Sequence, residues 1–174
     1  AELHVEYEDG SKEVIATDET WSVKTGEIRY SEIYMGETID TDAPEITEGN
    51  VVVKDFDKAV LTAQENEPVR ITEKIVGKEL IVTPKGEKLV DFGQIVTGVV
   101  EAHVKGEKGQ KIVLRHAEVL DKDGNFYPET LRQAKSIDTF ICNGEEQIFR
   151  PHFTFHGFRY ICVEGMEEFT ADQF

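Results

Sequence analysis

The sequence predicts an all-β protein, an antiparallel β-sandwich with jelly-roll character. Short segments that alternate apolar and polar residues follow one another along the 174 residues, and each is bounded by Gly, Pro, Asn or acidic residues. Such segments are typical of strands separated by turns. No part of the sequence has the periodicity of a long amphipathic helix. Many short strands with almost no helical pattern favour a sandwich.

The N-terminal part begins with a predicted hairpin. Leu3, Val5 and Tyr7 alternate with polar residues, and Asp9 and Gly10 supply a turn before a second extended run. This is the pattern of two antiparallel strands joined by a short connection. The further strands predicted here comprise residues 13–16, 27–33, 51–53, 69–76 and 80–83.

The alternation sharpens after residue 88. Val100, Ala102 and Val104 lie on one face of a predicted strand, and the polar residues between them lie on the other. The strands predicted in this part comprise residues 100–105, 111–115, 139–142, 149–155 and 159–163. Grouping the strands places a domain boundary near residue 75. We therefore predict domains over residues 1–75 and 76–174, the first of them a partial second sandwich.

The charge of the chain excludes two classes of partner. Thirty-five Asp and Glu against 19 Lys and Arg give a formal net charge of -16. Such a surface repels both phosphate backbones and anionic lipid headgroups. We expect neither nucleic acid nor membrane partners, whereas a neutral sugar is compatible with this charge.

The cysteines and the first residues bear on the compartment. Cys142 and Cys162 show no metal-type spacing and are predicted to be small buried hydrophobes in strands. Two free thiols favour a reducing cytoplasm. Residues 1–6 are already strand-like and carry no signal-peptide pattern, and no apolar run approaches the roughly 20 residues that span a bilayer.

A family resemblance rests on an ordered series of motifs. Residues 151–160 read PHFTFHGFRY, a dense aromatic run around one glycine, and DFGQ (91–94), RHAEVLD (115–121) and DGN (123–125) precede it. With Leu131-Arg132 and Asp138 in the same order, this part resembles the non-catalytic sandwich region of bacterial alpha-L-rhamnosidases, glycoside hydrolase family 78. TDETW (17–21) and GE (36–37) extend the resemblance to the latter part of their N-terminal domain.

The resemblance implies a concanavalin-like sandwich and a fragment of an enzyme. In that family the catalytic acid and base lie in a helical barrel, which is absent from this sequence, so we expect the chain itself to be inactive and to carry no catalytic residues. The parent enzyme would release terminal L-rhamnose from glycosides with inversion. The expected partners are the catalytic domain of the same protein and, through it, a rhamnose-containing glycan.

Candidate sugar-binding residues follow from aromatic and acidic positions in the N-terminal part. Trp21 is the only tryptophan, and with Tyr34, Glu37 and Asp40 it forms the predicted sugar-facing patch. A buried anchor in a sandwich is the alternative role for Trp21. The sequence also departs from the family pattern: Thr38 follows the GE motif where the family usually has tyrosine, and a second tryptophan is absent.

Two further motifs have a structural interpretation beside a functional one. Residues 121–125 (DKDGN) resemble the opening of a calcium loop, but they lack its later glutamate, and a tight turn is the alternative. Phe153 and Phe155 either offer a stacking surface for a sugar or, as their alternation favours, pack in the core. Arg159 is predicted to pair with a carboxylate across the sandwich. We predict no metal site and no cofactor.

Three functions remain open. The first is an accessory sandwich that packs against the catalytic barrel and shapes the substrate entrance. The second is an autonomous rhamnose-binding module. The third, hydrolysis by this chain, requires two carboxyl groups placed on either side of the scissile bond, and no pair stands out among the 35 acidic residues.

Overall fold

The computed structural model describes residues 1–43 and 46–174, and these residues form strands with only three short 3-10 helices (Lys58–Val60, Pro128–Leu131 and Ala171–Gln173). The strands are β1 (Glu2–Glu6), β2 (Lys12–Ala16), β3 (Ser22–Thr25), β4 (Ile28–Glu32), β5 (Gly36–Asp40), β6 (Ile46–Asn50), β7 (Glu79–Val82), β8 (Lys88–Gly98), β9 (Ala102–Lys105), β10 (Lys111–Ala117), β11 (Val119–Leu120), β12 (Phe126–Tyr127), β13 (Ile137–Ile141), β14 (Glu146–Phe149) and β15 (His156–Glu164). The predicted all-β class is confirmed. None of the helices in the described ranges is long and apolar enough to cross a membrane.

The chain divides into two compact units. The first unit comprises Ala1–Thr25 and Glu45–Ile71, and the second comprises Gly26–Pro44 and Thr72–Phe174. The segment Gly26–Pro44 therefore lies in the second unit although it is early in the sequence. The boundary near residue 75 stays a prediction.

The first unit consists of two strand pairs. β1 and β2 form the predicted antiparallel hairpin, in which Val5 lies opposite Glu13, and β3 pairs with β6. Tyr7 accepts a hydrogen bond at its carbonyl from the Gly10 amide and closes the turn. No described residue of this unit is buried. Its strands are held mainly by hydrogen bonds between strands.

The second unit is built on a seven-stranded sheet with the order β4-β5-β13-β10-β15-β8-β7. All of its pairings are antiparallel except that between β5 and β13, in which Ile39 lies beside Phe140. β9 and β14 form a separate antiparallel pair. Phe140 from the large sheet stacks on Phe149 from β14, with ring centroids 4.7 Å apart. This contact joins the two sheets, as in a sandwich.

The core of the second unit follows the predicted alternation. Val100, Ala102 and Val104 are all buried, as expected from their spacing. Cys142 and Cys162 are buried free thiols, as predicted, but Cys142 lies just after β13 and not in a strand. The largest cluster of buried residues contains Ile39, Val90, Phe92, Val100, Ala102, Val104, Ile112, Leu114, Phe140, Cys142, Phe149, Phe158, Ile161, Val163, Phe169 and Phe174.

Three of the predicted strands are wrong in whole or in part. Residues 51–53 and 69–76 are not in strands, and Val69 is fully exposed. β14 ends at Phe149, so residues 150–155 are a loop where a strand was predicted. In each case an apolar run was taken for a strand, but apolar residues form one only where a neighbouring strand supplies backbone partners. No strand was predicted at β3, β5, β6, β8, β11 or β12.

Candidate functional site

The predicted sugar-facing residues lie in two different units. Trp21 is in the first unit, where its side chain is 46% exposed and its amide hydrogen-bonds to the Asp18 carbonyl. Tyr34, Glu37 and Asp40 lie together on the β4–β5 hairpin of the second unit. The structure thus brings three of the four onto one element. Trp21 is not the buried anchor that its alternative role required.

Glu37 acts inside this hairpin. Its side chain is fully buried, and its carboxylate accepts hydrogen bonds from the Ser31 hydroxyl (2.9 Å) and from the amides of His152 (2.8 Å) and Phe153 (2.9 Å). A carboxylate that accepts several hydrogen bonds is a strong local anchor. Glu37 therefore fixes the start of the aromatic run against the hairpin. Asp40 accepts a hydrogen bond from the Asp42 amide (3.1 Å).

The aromatic run of residues 151–160 changes character along its length. Phe153 is 71% exposed and Phe155 is 50% exposed, so the predicted core packing of these two rings is wrong. Both rings lie in the loop that precedes β15. Phe158 and Tyr160, inside the strand, are buried. The exposed pair is therefore available for contact with a ligand or another domain.

A cleft of about 280 Å³ opens beside the exposed ring of Phe155. Its walls carry an aromatic ring from Tyr34, a carboxylate from Glu118 and an imidazole from His156. The remaining residues around it are Ile33, Leu131, Ala134, Ser136 and Gly157. Aromatic side chains beside a few polar groups are typical of small-ligand sites.

Three buried ligand-type side chains lie directly behind this cleft. His116, Asp138 and His156 come from the adjacent strands β10, β13 and β15, and all three are buried. Leu114 lies opposite Asp138 in the β10–β13 pairing, and His116 shares a face with Leu114. One face of the sheet therefore carries both side chains. We call these three residues the buried cluster.

The hydrogen bonds of the buried cluster are incomplete. His116 Nδ1 donates to the Ser136 carbonyl (2.8 Å), and Asp138 Oδ1 accepts from the Glu37 amide (2.9 Å) and lies 3.2 Å from His156 Nε2. His116 Nε2 and Asp138 Oδ2 lie 3.8 Å apart and have no hydrogen-bond partner among the described residues. Burial lowers the pKa of His116 to about 4, and nearby His156 adds to the effect.

The buried cluster was not predicted from the sequence. His116, Asp138 and His156 entered only as parts of the family motifs, and they lie far apart along the chain. The available signal was that each is a polar residue directly beside a predicted strand, since His116 follows residues 111–115, Asp138 precedes 139–142 and His156 follows 149–155. Only the order of the strands reveals that they converge.

Arg159 forms the predicted pairing with a carboxylate. Its Nε and Nη2 atoms each donate to Asp91 at 2.8 Å. The partner lies on the neighbouring strand β8 of the same sheet, so the prediction of a pair across the sandwich is wrong in that respect. The Arg159 hydrogen bonds hold the pKa of Asp91 below its usual range. The register shift between Phe158 and Tyr160 places Arg159 at an irregularity of the sheet.

The calcium-like motif forms a turn. Asp121 accepts hydrogen bonds at its carboxylate from the amides of Asp123 (2.9 Å) and Asn125 (2.8 Å), and Gly124 has a φ of +82°. These contacts close the connection between β11 and β12. The side-chain oxygens of Asp121 serve the turn, as the alternative interpretation predicted.

Two family models match the chain. Residues 81–174 match the bacterial alpha-L-rhamnosidase concanavalin-like domain, and residues 1–73 match the alpha-L-rhamnosidase N-terminal domain. The first match covers more than half of the 174 residues.

Curated relatives with this similarity are much longer proteins. An alpha-L-rhamnosidase of Streptomyces avermitilis is 36% identical over 177 residues, which cover 95% of this chain and 17% of that protein. One of Formosa agariphila is 37% identical over 179 residues, covering 95% of this chain and 19% of that protein. The chain thus spans less than a fifth of the length of these two relatives.

Solved structures show the same similarity. The native alpha-L-rhamnosidase of Aspergillus terreus superposes with a TM-score of 0.86 at 34% identity, covering 98% of this chain and 21% of that one. The Streptomyces avermitilis alpha-L-rhamnosidase complexed with L-rhamnose also gives 0.86, at 32% identity, covering 99% of this chain and 18% of that one.

Proposed function

Because the chain belongs to the bacterial alpha-L-rhamnosidase family, through its N-terminal and concanavalin-like non-catalytic domains, we propose that it supports the catalytic domain of a larger rhamnosidase. In this role the second unit packs against the catalytic barrel and helps to shape the substrate entrance. The parent enzyme hydrolyses terminal L-rhamnose from glycosides, with a carboxylate base that activates water in a single displacement. That chemistry belongs to residues outside this chain.

One observation carries the proposal. Ile33, Tyr34, Phe153 and Phe155 are between 47% and 71% exposed although the unit that bears them has a closed core. Their backbones are held firmly: the Glu37 carboxylate binds the Phe153 amide, and the Thr154 hydroxyl donates to the Ile33 carbonyl (3.1 Å). Rigidly held apolar side chains at the surface are a mark of an interaction site. We call these four residues the apolar rim.

The experiment compares the same substitutions in two settings. Phe155→Ser and Tyr34→Ser are introduced into the full-length rhamnosidase and into the 174-residue chain alone. Because the rim is exposed in the chain alone, we expect its Tm to change little there. In the full-length enzyme we expect a lower temperature of inactivation and a reduced kcat/KM on an aryl rhamnoside.

A matched control uses Ile95→Ser, since Ile95 is 59% exposed and does not line the cleft. We expect it to leave both proteins unchanged. Equal effects of the rim substitutions in the two settings, or none in either, would contradict the proposal.

A second candidate is rhamnose binding by the chain itself, and the cleft favours it. The rings of Tyr34 and Phe155 flank a carboxylate, Glu118, and His156, and a pyranose uses such ring faces together with polar groups. Calorimetric titration with L-rhamnose tests it. A saturable signal that Tyr34→Ala removes and Trp21→Ala leaves intact would place a sugar in the cleft. Loss with Trp21→Ala would instead favour the patch predicted from the sequence.

A further inference from the structure

The buried cluster has the composition of a metal site. Two imidazoles and one carboxylate, from His116, His156 and Asp138, each offer one ligand atom, and these atoms all lie within 4.8 Å of one another. Nitrogen and oxygen ligands of this kind suit Zn²⁺ and related divalent transition metals. All three side chains are at most 3% exposed. They lie inside the second unit, so surface charge does not explain their grouping.

The two unpaired atoms are suited to a shared cation. His116 Nδ1 donates a proton to the Ser136 carbonyl, and in the neutral ring Nε2 then carries a lone pair. That lone pair lies 3.8 Å from Asp138 Oδ2, another acceptor, and neither atom finds a donor among the described residues. Two buried acceptors facing each other are costly. A cation between them would satisfy both.

The distances fit one ion. Metal–ligand bonds to imidazole nitrogen and carboxylate oxygen are about 2.1 Å for zinc, so two ligands on one ion lie at most about 4.2 Å apart. His116 Nε2 and Asp138 Oδ2 already meet this limit at 3.8 Å. The widest spread in the cluster, up to 4.8 Å, requires a closure of roughly half an ångström.

The surroundings of the cluster supply the supporting contacts that metal ligands have. A ligating histidine usually donates its other ring proton to a carbonyl or carboxylate, as His116 does to Ser136. The carboxylate is oriented by the Glu37 amide, which donates to Asp138 Oδ1. For Nε2 of His156 to bind the ion, its ring must carry the proton on Nδ1.

The cleft adjoins the site on one side. Ser136 and His156 belong both to the cluster's surroundings and to the wall of the 280 Å³ cleft. Three protein ligands leave one position of a four-coordinate ion for water or a ligand in the cleft. From this arrangement we propose that His116, Asp138 and His156 bind one Zn²⁺ ion in the second unit.

The test uses the 174-residue chain without an affinity tag, freed of metal by dialysis against a chelator. Zn²⁺ is then titrated calorimetrically, and Co²⁺ is added to a second sample for visible absorption. We expect one Zn²⁺ per chain, a higher Tm with zinc, and the intense absorption of a four- or five-coordinate cobalt site. No saturable zinc binding, or a cobalt spectrum like that of the hydrated ion, would overturn the proposal.

Substitutions locate the ion. His116→Gln and His156→Gln should each weaken zinc binding at least about 10-fold, because each removes one ligand. The matched control is His103→Gln, since His103 is exposed and lies 3.3 Å from Glu101, the kind of surface pair that binds zinc adventitiously. We expect it to bind zinc as the unsubstituted chain does. Loss of binding with His103→Gln, or unchanged binding with His116→Gln, would show a surface ion only and overturn the proposal.

Discussion

The first unit and the second unit use strands in opposite ways. Both contain antiparallel pairs with regular registers, but no described residue of the first unit is buried, whereas the second encloses a large apolar cluster. Val14 in β2 is 54% exposed, while Phe140 in β13 is fully buried. An isolated two-stranded pair is marginally stable in water, because burial supplies most of the stabilisation of a sheet. The stability of the chain therefore resides in the second unit.

The two units should differ most in how much free energy of unfolding is lost when one side chain in each is truncated to alanine. Phe140→Ala removes a fully buried ring that stacks on Phe149, and we expect a loss of about 3–5 kcal/mol in the free energy of unfolding. Val14→Ala should change it by less than about 0.5 kcal/mol, because the side chain is exposed. Urea unfolding followed by circular dichroism measures both. Comparable losses would mean that the first unit buries Val14 in solution.

A pair of glycines sharpens the comparison. Gly36 begins β5 with a φ of +108°, and a Cβ there would lie 2.0 Å from the Ile137 carbonyl oxygen. Gly10 has a φ of +83° but open space around it. We expect Gly36→Ala to cost roughly 2–4 kcal/mol, from backbone strain plus displacement of β13. Gly10→Ala should cost about 1 kcal/mol, from strain alone. Thermal unfolding of the two variants measures both losses of stability. Equal losses would contradict the close approach of the Ile137 carbonyl to Gly36.

The pair of Asp91 and Arg159 gives the second unit a pH dependence. Because its pKa is lowered in the folded protein, Asp91 stabilises the fold fully above its ordinary pKa of about 4, and that contribution is lost as the pH falls through the lower value. Asp91→Asn should cost about 1.5–3 kcal/mol at neutral pH, and the two stability curves should converge in acid.

Urea unfolding over a pH series measures this effect. The control is Asp18→Asn in the first unit, where Thr20 lowers the pKa of a fully exposed carboxyl. Its stability curve should lie much closer to that of the unsubstituted chain, because solvent screens the interactions of an exposed carboxyl. A constant offset of Asp91→Asn at every pH would argue against the ionised pair.

The smallest effect concerns the thiols. Burial raises the pKa of Cys162 to about 11, with a further contribution from Glu164, and it also raises the pKa of Cys142. Since only the thiolate reacts readily, we expect neither to be modified by Ellman's reagent at mildly alkaline pH until the chain is unfolded in urea. A cysteine placed in the first unit by Val14→Cys should react at once. Rapid modification of the unsubstituted folded chain would show that the second unit opens locally.

The sequence predicted those features that depend on residues close together along the chain. The alternation of Val100, Ala102 and Val104 identified a strand and its buried face correctly, and the motif pattern identified the family. Prediction from the sequence failed where a strand forms only because a partner strand, distant along the chain, lies beside it. β5 carries the family's Gly-Glu motif, and its pairing with β13 joins Ile39 to Phe140, which lie far apart along the chain. Local periodicity contains no information about such a neighbour.

The candidate site was predicted only in part for the same reason, since local sequence does not show which distant residues meet. Tyr34, Glu37 and Asp40 lie on one hairpin because they are near in sequence, whereas Trp21 lies in the first unit and Glu37 is a buried anchor of the aromatic run. The buried cluster depends on the lateral order of β13, β10 and β15, which only the fold supplies. Sugar contact by Trp21, Tyr34, Glu37 and Asp40 stays a prediction.

The parallel pairing of β5 with β13 has a consequence for engineering. A shortened protein starting at residue 76 would keep most of the second unit but lose β4 and β5. β13 would then become a bare sheet edge, and unpaired strand edges recruit other chains into aggregates. A chimaeric protein that takes its second unit from this chain should therefore include Gly26–Pro44 together with Thr72–Phe174. The early segment can be joined by circular permutation or added as a separate peptide.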